Sequence, residues 1–371
     1  MSDTLVVHVH FGSDFIQIRA NGAVEKVPVE AAARTAVITT AQTTIKEYYL
    51  SKSSGSFFDQ GRLIALGRSL FDFLDTTSVV TRILDDAERK GCKTLVFEYS
   101  GADDLRELPW ELLAAEAYLA EAVNPLYSPV RLLWADERAH TRNPSPPAPR
   151  DLSVLLLAAS PEGVEPVLSY EDEETRIERS VAQKRLELVT EESGSLLGLR
   201  ERLHSRVDGA WDVVHITCHG TLHPKPSLIL EDEEGGPDVV DAQRFATDGL
   251  AGRVPRLCFV SACHSAESEP TGGLPSLAQV LTRAGVDHVI GWASTVFDTA
   301  ATDFATRLYE ELSSAAPVER AIALARFRSY SESIANLRRL VSRPGLFAAI
   351  RRKPAGDGRC RPPAPRRAAR S

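Results

Sequence analysis

Two residues stand out for the chemistry they can do together. His219 and Cys263 each sit just beyond an apolar run of strand length, 213–218 and 257–262, and they lie 44 residues apart. A thiolate is a strong nucleophile, and an imidazolium beside it lowers its pKa and can hand a proton to a departing amine. Acyl transfer also needs fixed N–H groups facing the developing oxyanion. Gly220 has no Cβ to keep its backbone away from a substrate, so its N–H and that of Cys263 are the candidate donors. Two further polar residues are candidates for binding substrate. Ser261 lies two positions before the thiol, and Asp298 carries a carboxylate able to pair with a basic side chain or to cap a helix starting at about Thr299.

For these groups to meet, their two runs must be neighbours in one sheet. The second half of the chain supports that, because strand-like and helix-like segments alternate. Residues 152–159, 211–218, 228–230 and 287–293 read as strands, and 171–188, 195–206, 275–285 and a stretch after 298 as helices. Such alternation predicts a mostly parallel sheet with helices on both faces, in which reactive groups collect beyond the carboxyl ends of the strands. Upstream, 4–10, 14–19 and 36–40 read as short strands with Asn21-Gly22 as a hairpin turn. Leu63, Leu66, Leu70, Phe73 and Leu74 fall at helical spacing, a second helix spans 79–89, and 93–99 is a strand.

Neighbouring polar residues have plainer readings. Cys218 points to the opposite face from His219 and belongs in the core, while His215 shares that strand's face with His219 and is placed to support it. His264 is read as structural. A zinc site from Cys218, His219, Cys263 and His264 fails on geometry, since adjacent residues in a strand face opposite sides. No metal or cofactor is therefore expected.

The ordered set of segments resembles the CHAT family of caspase-like peptidases. The resemblance is carried by 213–220, by Ser261-Ala262-Cys263 with Ser265, and by Gly272-Gly273-Leu274-Pro275-Ser276-Leu277-Ala278 leading to Ala284-Gly285-Val286. It continues through Val289-Ile290-Gly291-Trp292 and the Asp298 region, and includes Leu108-Pro109-Trp110-Glu111-Leu112-Leu113 upstream, covering about residues 60–345. It implies a caspase-hemoglobinase fold with a degenerate first half, a His219/Cys263 dyad and an oxyanion hole at the backbone of Gly220 and Cys263. It also implies regulated cleavage of a specific protein substrate, in bacterial signalling or antiviral defence, held off until an activating partner or ligand arrives. The cysteine motif is Ser-Ala-Cys-His-Ser and not the Gln-Ala-Cys of caspases, so nothing points to aspartate specificity. The other reading is a catalytically silent caspase-like scaffold that binds a peptide or protein.

The same reading divides the chain into a small N-terminal β unit (1–50), a non-catalytic first half (51–142), a proline-rich connector (143–150) open to cleavage, a catalytic half (151–348) and a basic disordered tail (349–371). Residues 351–371 hold eight arginines and lysines against Asp357 alone, so the rest of the chain is more acidic than its overall −8. That balance argues against general nucleic-acid binding. Five cysteines, odd in number and mostly in apolar runs, do not form a disulfide framework. With no membrane-length apolar run and no leader-like start, a cytoplasmic location is expected.

Overall fold

The computed structural model describes residues 3–54, 56–122, 124–134, 151–182, 184–206, 210–222, 225–263, 265, 276–292, 298–336 and 347–353. The chain opens with β1 (Thr4–Phe11), β2 (Phe15–Ala20) and β3 (Ala23–Pro28), followed by α1 (Ala31–Ser54), α2 (Gly61–Leu74) and α3 (Val79–Arg89). β4 (Thr94–Gly101), the helical turn α4 (Asp103–Arg106) and β5 (Leu126–Trp134) come next. The second half begins with β6 (Leu152–Ala158), α5 (Tyr170–Val181), β7 (Leu186–Glu191), α6 (Leu196–Ser205), β8 (Val213–Thr217), β9 (His219–Thr221), β10 (Ser227–Glu231) and β11 (Pro237–Asp241). It continues through the short α7 (Ala242–Arg244), β12 (Leu257–Ser261), α8 (Leu277–Ala284), β13 (His288–Trp292), α9 (Asp298–Leu312), α10 (Val318–Asn336) and β14 (Phe347–Lys353).

Eleven strands make one mixed sheet in the order β3-β2-β1-β4-β5-β14-β13-β12-β8-β6-β7, and β9, β10 and β11 form a small separate sheet. β1, β4 and β5 run parallel to one another, as do β7, β6, β8, β12 and β13. β14 joins the two blocks, parallel to β5 and antiparallel to β13, so the blocks point in opposite directions. The N-terminal β unit is built into this sheet through the full-length pairing of β1 with β4.

The expected mostly parallel sheet with helices on both faces is present, and the pleat explains how it is covered. In β12, Leu257 and Phe259 face a core made with Ile177 of α5, Phe304 and Leu308 of α9 and Ile322 of α10. Cys258 and Val260 face the opposite core, made with Leu199 and Leu203 of α6 and Leu281 of α8. Strands buried on both faces need near-continuous apolar sequence, which is what β6, β8 and β12 carry. In the first half, α1, α2 and α3 cover one face. There Trp110 is fully buried, stacks on Tyr99 at 4.6 Å and donates its indole N–H to Leu105 O at 3.0 Å. Glu111 beside it forms a buried bidentate pair with Arg131, which also donates to Leu108 O at 2.7 Å. That pairing gives the Leu-Pro-Trp-Glu motif a structural purpose.

Three expectations need correction. Residues 36–40, β-branched from Val37 on, lie inside α1, because Val37, Ala41, Thr44 and Tyr48 recur at helical spacing and are buried together. The helix expected over 171–188 stops at Val181, and Leu186–Glu191 form the edge strand β7, paired with β6. The tail expected from 349 instead begins as β14, held by backbone hydrogen bonding to a strand on each side, which residue type does little to restrict. The connector 143–150 and the tail beyond 353 lie outside the described residues. No described helix is long and apolar enough to cross a membrane.

Candidate active site

β8 and β12 are adjacent parallel strands in register, from Val213 opposite Leu257 to Thr217 opposite Ser261. The offset between partners is the same 44 residues that separates His219 from Cys263, so both residues lie equally far past their strand ends. There the chain breaks from the main sheet: His219 opens β9 and Cys263 sits in a turn. The two segments come into direct contact. A Cβ placed on Gly220 would run into the Cys263 carbonyl oxygen and stand 3.1 Å from its carbonyl carbon and 3.3 Å from its nitrogen. Only glycine lets the backbones approach this closely.

The imidazole of His219 is half-buried and oriented from one side, with Nε2 2.8 Å from the carbonyl oxygen of Pro166. A carbonyl only accepts, so Nε2 carries the hydrogen and Nδ1 is the ring atom left to take up a proton. Pro166 lies between β6 and α5, in a segment with no catalytic signature in its sequence.

The turn bearing Cys263 is pinned by Ser265, which is 4% exposed. Its N–H donates to Ala262 O at 3.2 Å, and its hydroxyl donates to Val260 O at 3.0 Å and accepts from Trp292 N–H at 2.9 Å. Its carbonyl accepts from Ala278 N–H at 3.1 Å, reaching α8, whose start is closed by a capping box between Ser276 and Gln279. One hydroxyl therefore links β12, β13 and the thiol's turn. Replacing Ser265 with alanine removes both hydroxyl bonds and is expected to lower stability by about 1–3 kcal/mol. Thermal unfolding checks this, and an unchanged midpoint would deny Ser265 that role.

Other sequence candidates fall in varied places. Cys218 is buried among Leu228 and Val260, and burial, then the nearby Cys263, pushes its thiol up. Burial likewise pushes the Cys258 thiol up to about 12. His215 was expected to support His219, but it is fully buried and stacks on Phe259 at 4.5 Å, where burial pushes its pKa down to about 3. It is a neutral core residue, because β8 ends at Thr217 and the chain changes direction before His219. Asp298 opens α9, and its carboxylate accepts from the Ser169 N–H of α5's N-cap at 3.2 Å. Ser261 is 8% exposed at the end of β12. His264 lies outside the described residues. Among the described residues no three His, Cys, Asp or Glu side chains cluster as metal ligands would.

The sheet, with a histidine and a cysteine beyond adjacent strand ends, defines the class as a caspase-like α/β fold of the cysteine peptidase type. The chain belongs to the CHAT domain family, whose model matches residues 65–354. Solved structures similar to it include the Arg-specific cysteine proteinase gingipain R (RgpB), at 10% identity and a TM-score of 0.45 over 74% of this chain and 66% of that one. Another is a secreted C11 cysteine protease from Bacteroides thetaiotaomicron with an irreversible peptide inhibitor, at 13% identity and a TM-score of 0.37 over 49% and 60%. A third is the Saccharomyces cerevisiae separase–securin complex, at 10% identity and a TM-score of 0.45 over 95% of this chain and 30% of that one. The chain thus spans no more than 66% of any of these three proteins. No curated protein matches it.

Proposed function

We propose that the protein is a regulated cysteine endopeptidase that cuts a specific protein with His219 and Cys263. The observation carrying this is the contact of the Gly220 and Cys263 backbones at the ends of two adjacent parallel strands. It sets the histidine's segment against the thiol's segment, and the backbone N–H groups of Gly220 and Cys263 are the donors proposed for the oxyanion. The Cys263 sulfur attacks the scissile carbonyl, the oxyanion forms against these donors, and His219 passes its proton to the leaving amine. Water then hydrolyses the thioester. Activity answers to a partner or ligand, in bacterial signalling or defence, within the cytoplasm.

Asp298 is the candidate for reading the substrate residue before the cut, with Ser261 at the neighbouring strand end. A carboxylate there favours a basic side chain through a charge-assisted hydrogen bond. Asp298→Asn is expected to reduce cleavage after arginine or lysine by about tenfold relative to neutral residues, as loss of a charged partner does. Profiling a peptide library with both proteins measures this, and an unaltered preference rejects the role.

The function itself is tested by labelling. A peptidyl electrophile at neutral pH should modify Cys263, with and without lysate from the host, and His219→Ala should suppress the reaction. A protein that binds peptides but is never labelled, even with lysate present, is a scaffold and not a peptidase.

A further inference from the structure

The segment that orients His219 is fastened at three points. Pro166 bonds the imidazole, and Ser169 N–H is held by Asp298. Glu173, on the first turns of α5, reaches beneath β8, where the Thr217 hydroxyl donates to its Oε2. Thr217 lies two residues before His219, and Glu173 seven residues after Pro166. The bond between them therefore ties the segment carrying the Pro166 carbonyl to the strand carrying the imidazole.

Glu173 is an unusual residue for its place. It is 3% exposed, its Oε1 has no hydrogen-bond partner among the described residues, and that oxygen stands 3.8 Å from His215 Nε2. Leaving a buried polar atom unpaired costs about 1–3 kcal/mol, so leucine would serve packing better. A carboxyl retained at such cost calls for work that leucine cannot do.

We infer that Glu173 is a positioning residue for the peptidase: its bond to Thr217 holds the 166–173 strap, and with it the Pro166 carbonyl, at the imidazole of His219. The inference rests on the reading of His219 and Cys263 as a catalytic pair. Burial pushes the Glu173 carboxyl up to about 7, with the Asp298 charge adding to the rise and the Thr217 hydroxyl and Arg176 opposing it. The groups facing it are Thr217 and His215 of β8, Asp298 and Tyr309 of α9, and Arg176 of its own helix. Because this folded-state pKa lies above the ordinary carboxyl value, the associated stability is full below that value and is lost as pH rises through about 7. A neutral carboxyl suits the buried site, whereas an ionised one adds a second negative charge beside Asp298. The strap should hold the imidazole best on the acidic side of neutrality.

The experiment follows the rate of Cys263 alkylation by iodoacetamide between about pH 5 and pH 9, which needs no knowledge of the substrate. Four full-length proteins are compared: wild type, Glu173→Gln, Glu173→Leu and His219→Ala. Glutamine keeps the neutral shape and still accepts from Thr217, so it should match wild type in acid and react faster than wild type above about pH 7, where the wild-type carboxyl ionises. Leucine should unfold at the wild-type temperature or above it, yet react about tenfold more slowly at neutral pH because the imidazole is misplaced. A purely structural glutamate would leave the leucine variant's rate unchanged. Wild-type behaviour from both Glu173 variants, while His219→Ala alters the profile, overturns the role of Glu173 alone. If His219→Ala leaves the profile untouched, the catalytic pairing falls and this inference with it. Should the leucine variant fail to fold, the glutamine profile decides: a profile that superimposes on wild type across the whole range rejects the inference.

Discussion

Cys263→Ala is expected to reduce peptide cleavage by at least about 10³-fold, because a site without its nucleophile keeps only binding and oxyanion stabilisation. The loss should appear in kcat and leave peptide binding intact, since the role proposed for the sulfur is bond formation and not recognition. Stability should change little. Cys263 is half-buried in a turn held by the Ser265 hydroxyl and by the Ser265 N–H on Ala262 O, and the substitution leaves these bonds in place. The check is turnover of whichever library peptides the wild type cuts, together with peptide binding and thermal unfolding of the variant. A variant that binds, folds and still cuts at a tenth of the wild-type rate or faster would show that the nucleophile lies elsewhere.

Gly220→Ala tests the geometry independently of the thiol. The added methyl has nowhere to go, because the Cys263 carbonyl oxygen fills its place and is itself part of a turn tied to β12, β13 and α8. The two segments must separate, carrying the N–H donors away from the oxyanion position. Removing one such donor elsewhere lowers kcat by about 10²–10³, and a loss of that order is expected here. Covalent labelling of Cys263 by a small alkylating agent should survive, since the sulfur itself is untouched. Turnover near wild type would mean that the backbone at 220 takes no part in stabilising the oxyanion.

The sequence exposed the strand ends because buried parallel strands must be written in apolar residues, and a histidine or cysteine directly after such a run interrupts the pattern. Gly220 marked a close approach in the sequence, expected toward a substrate, and the backbone it meets in the structure is that of Cys263. Pro166 and Glu173 were not legible. Pro166 contributes only a carbonyl oxygen, which every residue possesses, and Glu173 sits among Glu171, Asp172 and Glu174, where sequence alone cannot separate the buried acid from its solvated neighbours. β14 was hidden because its arginines and lysine resemble a solvated tail, while its place in the sheet depends on backbone pairing with strands far away in sequence. In α1, local preference pointed the wrong way, and burial at helical spacing overrode it.

The placement of β14 bears on how the protein is made. The strand at the seam between the two oppositely directed blocks is the last of the described strands to leave the ribosome. Until β14 is made, β5 and β13 each lack the neighbour they have in the finished sheet. Synthesis therefore sets the order of events: the strands that carry His219 and Cys263 are translated first, and the strand between the two blocks follows. The sheet around His219 and Cys263 is thus completed only when β14, translated after both, takes its place between β5 and β13.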